Sequence, residues 1–354
     1  MQAPPLPDAI RNHLSDLARE LNDHSHGEVA CRVLETLVRI SRSDADASDW
    51  EIIDGTLADM ADGFRVFHPH RSTRKVAIFG SARTPVGDRV YQQGIEVAAA
   101  AVAAGFEVMT GAGGGVMEAA NRGAGAGQSF GLNVDLPFEQ ESNPYISGCD
   151  RLLTFRYFHT RKLFFLRETD AVVVLPGGFG TLDELFEALT LIQTSRNPPV
   201  PVVLVCPDGD DYWHRWHAYV NRALDDRGLI SAEDRQIYGT AHSAEEAVRQ
   251  IRRFYRVFDA SRFRGDHLQL LLHCSLPAGV LDDLNRRFAD LLLSGRICSL
   301  PCSGPNGERR DCLELLFDQR QVGRLYELIH HLNSLDLPSS DPLEHPERRV
   351  ALVP

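Results

Sequence analysis

The stretch Ala171-Val172-Val173-Val174-Leu175-Pro176-Gly177-Gly178-Phe179-Gly180-Thr181-Leu182-Asp183-Glu184 decides the fold. Its first five residues are all apolar, as expected of a strand covered on both faces. Pro176 and the glycines at 177, 178 and 180 end that strand. A helical pattern follows to about 193. The same strand–turn–helix unit recurs to either side. Upstream, strands are expected at 76–79, 106–109, 130–136 and 151–155, with helices at 88–104, 116–123 and 157–167. Downstream, a strand at 202–205 and an arginine-rich helix near 244–258 close the series. Continuous apolar strands alternating with helices predict an α/β fold, a doubly wound parallel sheet.

Residues 71–258 are assigned to this domain. Residues 1–70 read as a helical N-terminal extension, with Ile10, Leu14, Leu17 and Leu21 on a helical spacing. Residues 259–335 read as a small α+β module, β-α-β-β-α in order, similar to part of a ferredoxin-like unit. Residues 336–354 contain four prolines and read as a tail. The chain has 354 residues, 43% hydrophobic and 24% charged, which excludes wholesale disorder. Its net charge of −12 argues against nucleic acid as a partner. No leader or membrane segment is evident, and seven cysteines do not suggest a disulfide framework, so a cytoplasmic location is expected. Cys298, Cys302 and Cys312 do not follow a usual zinc spacing and are read as structural, so no metal site is expected.

Ligands of an open parallel sheet bind at the carboxyl ends of its strands. Three loops rich in small residues fall there: Gly80-Ser81-Ala82-Arg83, Thr110–Gly115 and Pro176–Thr181. Glycines let backbone N–H groups approach an anion, and a helix start adds positive partial charge. The set points to a phosphate-bearing small molecule. The dinucleotide fingerprint fails at Val116, and the Gly-x-x-x-x-Gly-Lys-Ser/Thr loop is absent. Thr181 and Glu184 have the spacing of a capping box, with Thr181 as N-cap. Arg156 to Lys162 sets cations in a first helical turn, against the helix dipole. A compensating anion or carboxylate is therefore expected nearby.

Pro176-Gly177-Gly178-Phe179-Gly180-Thr181-x-x-Glu184 resembles the PGGxGTxxE signature of the LONELY GUY (LOG) family. Phe158-His159-Thr160-Arg161-Lys162 is similar to its Met-His-x-Arg-Lys element, with Phe158 in place of Met. Gly80-Ser81 and the stretch 110–124 resemble its other two loops. Ala112 and Gly114 depart from the commoner Gly-Gly-Gly-Pro-Gly form. The resemblance covers about residues 74–257 and implies a Rossmann-like fold. It also implies a phosphoribohydrolase, which cleaves nucleoside 5′-monophosphates (AMP or cytokinin riboside monophosphates) to free base and ribose 5-phosphate.

Carried over residue by residue, the resemblance makes Glu184 and Arg161 catalytic. It assigns the 5′-phosphate to Gly177, Gly178, Gly180, Thr181 and Ser81. Glu118, Asn121 and Lys162 would face the ribose or base. No cofactor is implied, and a homodimer or larger homo-oligomer is. The family's older label, lysine decarboxylase, sits poorly with this chain. Pyridoxal chemistry needs an activated lysine, and the only two are Lys75 and Lys162. Two alternatives remain at this stage: a broad purine/pyrimidine monophosphate nucleosidase with a regulatory C-terminal module, and a non-catalytic carrier of a nucleotide or phosphorylated cofactor such as molybdopterin.

Overall fold

The computed structural model describes residues 16–17, 19–21, 26–135, 141–304 and 308–337. The expected helical positions Ile10 and Leu14, and the tail from 338 on, lie outside them. The chain divides into two compact units, Met1–Leu57 and Ala58–Pro354. In the first, α1 (Gly27–Ser41) buries none of its residues and leaves Val29, Val33 and Val38 exposed. Helix α2 runs from Ala47 to Phe67, and from Ala58 on it belongs to the second unit.

The main sheet is built from β1 (Lys75–Phe79), β2 (Glu107–Thr110), β3 (Ser129–Val134), β4 (Leu152–Phe155), β5 (Ala171–Val174), β6 (Val202–Val205) and β7 (Tyr238–Ala241). Every pairing is parallel and the order is β4-β3-β2-β1-β5-β6-β7. The five inner strands are buried at every residue, and β5 and β6 are apolar throughout, as strands covered on both faces favour. The edge strands β4 and β7 mix buried and exposed residues. Helices α3 (Arg89–Ala103), α4 (Val116–Ala124), α5 (Phe158–Glu168), α6 (Phe179–Gln193), α7 (Tyr212–Val220) and α8 (Ala244–Phe254) connect the strands. The strand order reverses between β1 and β5. The loops leaving these two strands part there and open a crevice.

A second sheet, entirely antiparallel, has the order β10-β11-β9-β8. It comprises β8 (Phe258–Arg264), β9 (His267–Leu272), β10 (Cys298–Ser303) and β11 (Arg309–Leu315), with α9 (Ala278–Arg287) and α10 (Val322–Ser334). The expected β-α-β-β-α succession starts at β9. Strand β8 was not expected, because its outer half carries Ser261, Arg262 and Arg264 and only its first two residues are buried. The helix expected to reach 258 stops at Phe254, since Phe258 already pairs with Leu272 of β9. Arg74, just before β1, ties the two sheets together. It bonds Asp170 at 3.1 Å and Asp259 at 2.6 Å, and its guanidinium lies 3.9 Å from the Tyr255 ring centroid.

Cys302 and Cys312, on adjacent strands β10 and β11, are joined by a disulfide that the sequence reading did not anticipate. Cys298 is free and exposed. Among the described residues, no three His, Cys, Asp or Glu side chains are grouped to hold a metal. No described helix is long and apolar enough to cross a membrane. Trp213 and Trp216, one helical turn apart on α7, pack into the hydrophobic core.

Candidate active site

The crevice between β1 and β5 is floored by backbone. The Ser81 N–H donates to the Pro176 carbonyl at 3.2 Å, and the Ser81 carbonyl accepts from Val116 N–H at 3.0 Å. All three small-residue loops thus meet at one edge of the sheet. Gly177 has no room for a side chain. A Cβ there would lie 2.1 Å from Thr181 Oγ1 and 2.9 Å from the Ser81 nitrogen. The Tyr212 hydroxyl donates to the Gly177 carbonyl.

Helix α6 begins at Phe179 with Gly178 as N-cap, and no side chain caps it. The expected capping box is therefore not formed: Thr181 lies inside the helix, and Glu184 turns to other partners. The first bond into the helix runs from Leu182 N–H to the Gly178 carbonyl. The N–H groups of Phe179, Gly180 and Thr181 thus have no intrahelical acceptor. Gly178 and Gly180 are exposed, and nothing lies within 4 Å of where a Cβ would stand. This open, donor-rich helix start suits an anion.

One turn further on, and on the same helix face as Thr181, stands Glu184. It is 9% exposed, as is Arg161. The Arg161 guanidinium meets Glu184 Oε1 at 3.3 Å, and its Nε–H donates to the Leu132 carbonyl at 2.8 Å. Gly111 makes room for it, because a Cβ there would lie 2.6 Å from Arg161 Nη2. The Lys162 ammonium lies 3.7 Å from Glu184 Oε2 and bonds Asp183 at 2.9 Å and Glu187 at 2.6 Å. Burial pushes the Glu184 carboxyl above its ordinary pKa, and Arg161 and Lys162 oppose that rise. Burial also depresses Arg161, against the pull of Glu184. Burial acts downward on Lys162 too, but Glu187, Asp183 and Glu184 together hold its pKa above the usual value. A carboxylate displaced toward neutrality beside an anion cradle is a candidate general base.

Helix α5 brings Arg161 and Lys162 to this place, and α2 holds its start. Asp59, 5% exposed, accepts the backbone N–H groups of Arg156 and Tyr157 and the Thr160 hydroxyl. This is the compensating carboxylate that the cationic helix start called for, supplied from far upstream in the chain. Asp59→Ala is expected to cost about 1–3 kcal/mol of stability by orphaning those donors. Asp59→Asn should cost less, and thermal denaturation of the two variants measures the difference.

The residues expected to face the ribose fall differently. The Tyr91 hydroxyl donates to Glu118 Oε1 at 2.9 Å, and Glu118 is half-buried. Asn121 is fully buried. Its Oδ1 accepts from the Thr110 hydroxyl at 2.8 Å and from Asn143 Nδ2 at 2.9 Å. Asn143 also donates to the carbonyls of Ala112 and Gly113. Together these bonds hold Ala112 at φ 61°, a left-handed conformation costly for a residue with a side chain. Ala112 thus keeps the loop shape that a glycine would adopt freely.

Fold and crevice define an α/β protein with a glycine-rich, N–H-lined sheet edge and a buried Arg–Glu pair behind it. Residues 117–251 match the family model described as "Possible lysine decarboxylase". Cytokinin riboside 5′-monophosphate phosphoribohydrolase LOG7 of Arabidopsis thaliana is 39% identical over 101 residues, 28% of this chain and 45% of that protein. The homologue LOG4 of the same plant is 36% identical over 96 residues, 27% and 43% of the two chains. The probable phosphoribohydrolase LOGL3 of Oryza sativa subsp. japonica is 34% identical over 101 residues, 28% and 46%. This part of the chain accordingly resembles the LOG family, and the match spans less than half the length of these relatives. A structural genomics X-ray structure is similar at 26% identity and a TM-score of 0.36, over 50% of this chain and 97% of that one. The molybdenum cofactor carrier protein of Chlamydomonas reinhardtii is similar at 19% identity and a TM-score of 0.34, over 50% and 94%.

The lysines do not suit the decarboxylase description. Lys75 is buried at the amino end of β1, opposite the crevice, and its ammonium donates to the carbonyls of His70 and Thr73. Lys162 is held charged by its three carboxylates. A Schiff base requires a free amine.

Proposed function

We propose that the protein is a phosphoribohydrolase that cleaves the N-glycosidic bond of a nucleoside 5′-monophosphate, AMP or a cytokinin riboside monophosphate. One observation carries the reading: the buried Arg161–Glu184 pair stands one helical turn behind an open glycine cradle. The phosphate docks on the N–H groups of Phe179, Gly180 and Thr181, with Gly177, Gly178 and Ser81 shaping the cradle. Anchoring that remote group orients the sugar carbon. Glu184 faces the ribose, where positive charge builds as the C–N bond breaks. Its carboxylate stabilises that charge and takes a proton from the attacking water. The water oxygen bonds to the anomeric carbon, the base leaves with the electron pair of the broken bond, and the proton that Glu184 took passes to the departing base, which regenerates the carboxylate. Arg161 keeps Glu184 ionised and in place. Lys162 reinforces that charge, Asn121 borders the sugar through the loop it stabilises, and Glu118, held by Tyr91, borders it from the following helix.

The extra sheet and α1 lie outside the matched segment, so the breadth of the substrate range is open to a panel. We take the enzyme to be a homo-oligomer, as the resemblance implies, and cytoplasmic, as its cysteine usage suggests. The test is incubation with AMP, followed by chromatography for adenine and ribose 5-phosphate. Both products are expected in equal amounts. Adenosine should be almost inert, because it lacks the group that the cradle holds. Absence of free base from every monophosphate tried would leave only a binding protein.

A further inference from the structure

Helix α8 carries Arg249, Arg252 and Arg253, and Arg256 follows its end. Spacings of three, four and seven residues set them toward one side. All four line a groove between α8, the C-terminal half of α3 and the end of α10. On a chain of net charge −12, this concentration of cations is not used by the reaction above. Two of the four are committed. Arg256 donates to the carbonyls of Asn333, Leu335 and Leu337, and Arg249 meets Glu245 at 3.5 Å. Arg252 and Arg253 are exposed and form no ion pair among the described residues. Favourable placement at a helix C-terminus accounts for basic residues there. It does not account for the cavities beside them.

A second cavity, of about 540 Å³, adjoins the groove and falls in the size range of small-molecule sites. Its lining includes half-buried Tyr238 and exposed His330, with Phe254 and Tyr326 buried in the core behind them. Arg249, Arg253 and Asn333 line both spaces, so these two guanidinium groups are common to groove and recess. His330, exposed at this rim, offers ring nitrogens for hydrogen bonds to a base. The groove also holds Glu96, Glu245 and Asp336. Those carboxylates would repel an extended polyanion, whereas a compact one can reach the two unpaired arginines.

We propose that this groove and cavity bind a nucleotide carrying two or more phosphates, with its base against Tyr238 and His330 and its phosphates on Arg252 and Arg253. Guanidinium forks match phosphate oxygens, and the recess suits a flat ring. The site lies between the main sheet and the small module and shares no residue with the crevice. It stands or falls independently of the hydrolase reading.

Calorimetric titration of the full chain with ATP tests it, with tripolyphosphate and AMP as further arms. ATP is expected to bind the natural protein. The Arg252→Ala/Arg253→Ala double variant should bind it about tenfold or more weakly. Both side chains are exposed, so the variant keeps its fold. Tripolyphosphate should bind more weakly than ATP, and saturating AMP should not displace ATP. No ATP binding, an unchanged affinity in the double variant, or displacement by AMP would overturn the proposal. Tripolyphosphate binding as tight as ATP binding would overturn the placement of the base.

Discussion

Glu184→Gln is expected to lower AMP turnover by about 10²–10⁴-fold, the range lost when a general base is removed. The amide keeps the size of the carboxylate and an oxygen for the Arg161 guanidinium, which bonds Glu184 at 3.3 Å and Leu132 at 2.8 Å. The fold should therefore survive, and circular dichroism verifies that. What disappears is negative charge facing the sugar, and with it the stabilisation of an oxocarbenium-like state. The loss should fall on kcat, with KM for AMP changed little, because the phosphate cradle is built from backbone and is untouched. A variant that released adenine at a near-normal rate would take Glu184 out of the mechanism. A loss confined to KM would recast it as a binding residue.

Much of this site was legible before any coordinates. The apolar runs marked the inner strands, because strands covered on both faces are mostly apolar; the buried polar residues Lys75, Glu107, Thr110, Ser129 and Asn133 sit at or near strand ends. The glycine loops fell at the carboxyl edge, where a doubly wound sheet binds its ligands. What the sequence hid was long-range partnership. Thr181 and Glu184 have capping-box spacing, yet Glu184 reaches across to Arg161 of another helix, and only the packing of α5 against α6 decides that. The cap of α5 was equally invisible, since Asp59 lies 97 residues before Arg156 in the chain. A hint existed in the cationic helix start, which demanded an anion without naming one. Strand β8 escaped because an edge strand with one exposed face needs few apolar residues. The structural part played by Asn121 could not be read either. Its bonds to Thr110 and Asn143 cross loops whose closeness is a property of the fold.

Arg161→Ala should be the second most damaging change, lowering turnover by about 10²–10³-fold. Its pH signature separates electrostatics from simple loss of shape. Glu184 works as a base only when ionised. Burial already raises its pKa, and Arg161 is the first of the two cations opposing that rise. Removing the guanidinium must push the pKa higher still. The acid limb of kcat/KM should therefore move to higher pH, and activity should recover in part as pH rises through the new value. Stability should move the other way. A carboxyl whose folded-state pKa is raised favours the folded state at pH below its unfolded value, and that advantage is lost as pH rises through the folded value. The variant should thus be least stable, by about 3 kcal/mol relative to the natural chain, at neutral pH, where Glu184 is charged and short of a partner. It should approach the natural chain in acid. Arg161→Lys provides the control. It returns a positive charge, so the acid limb should move back, but a single ammonium cannot span both Leu132 and Glu184, so the rate should stay low. An acid limb at the same pH in all three proteins would mean that Arg161 does not hold the charge of Glu184, and its part in the reaction would reduce to packing.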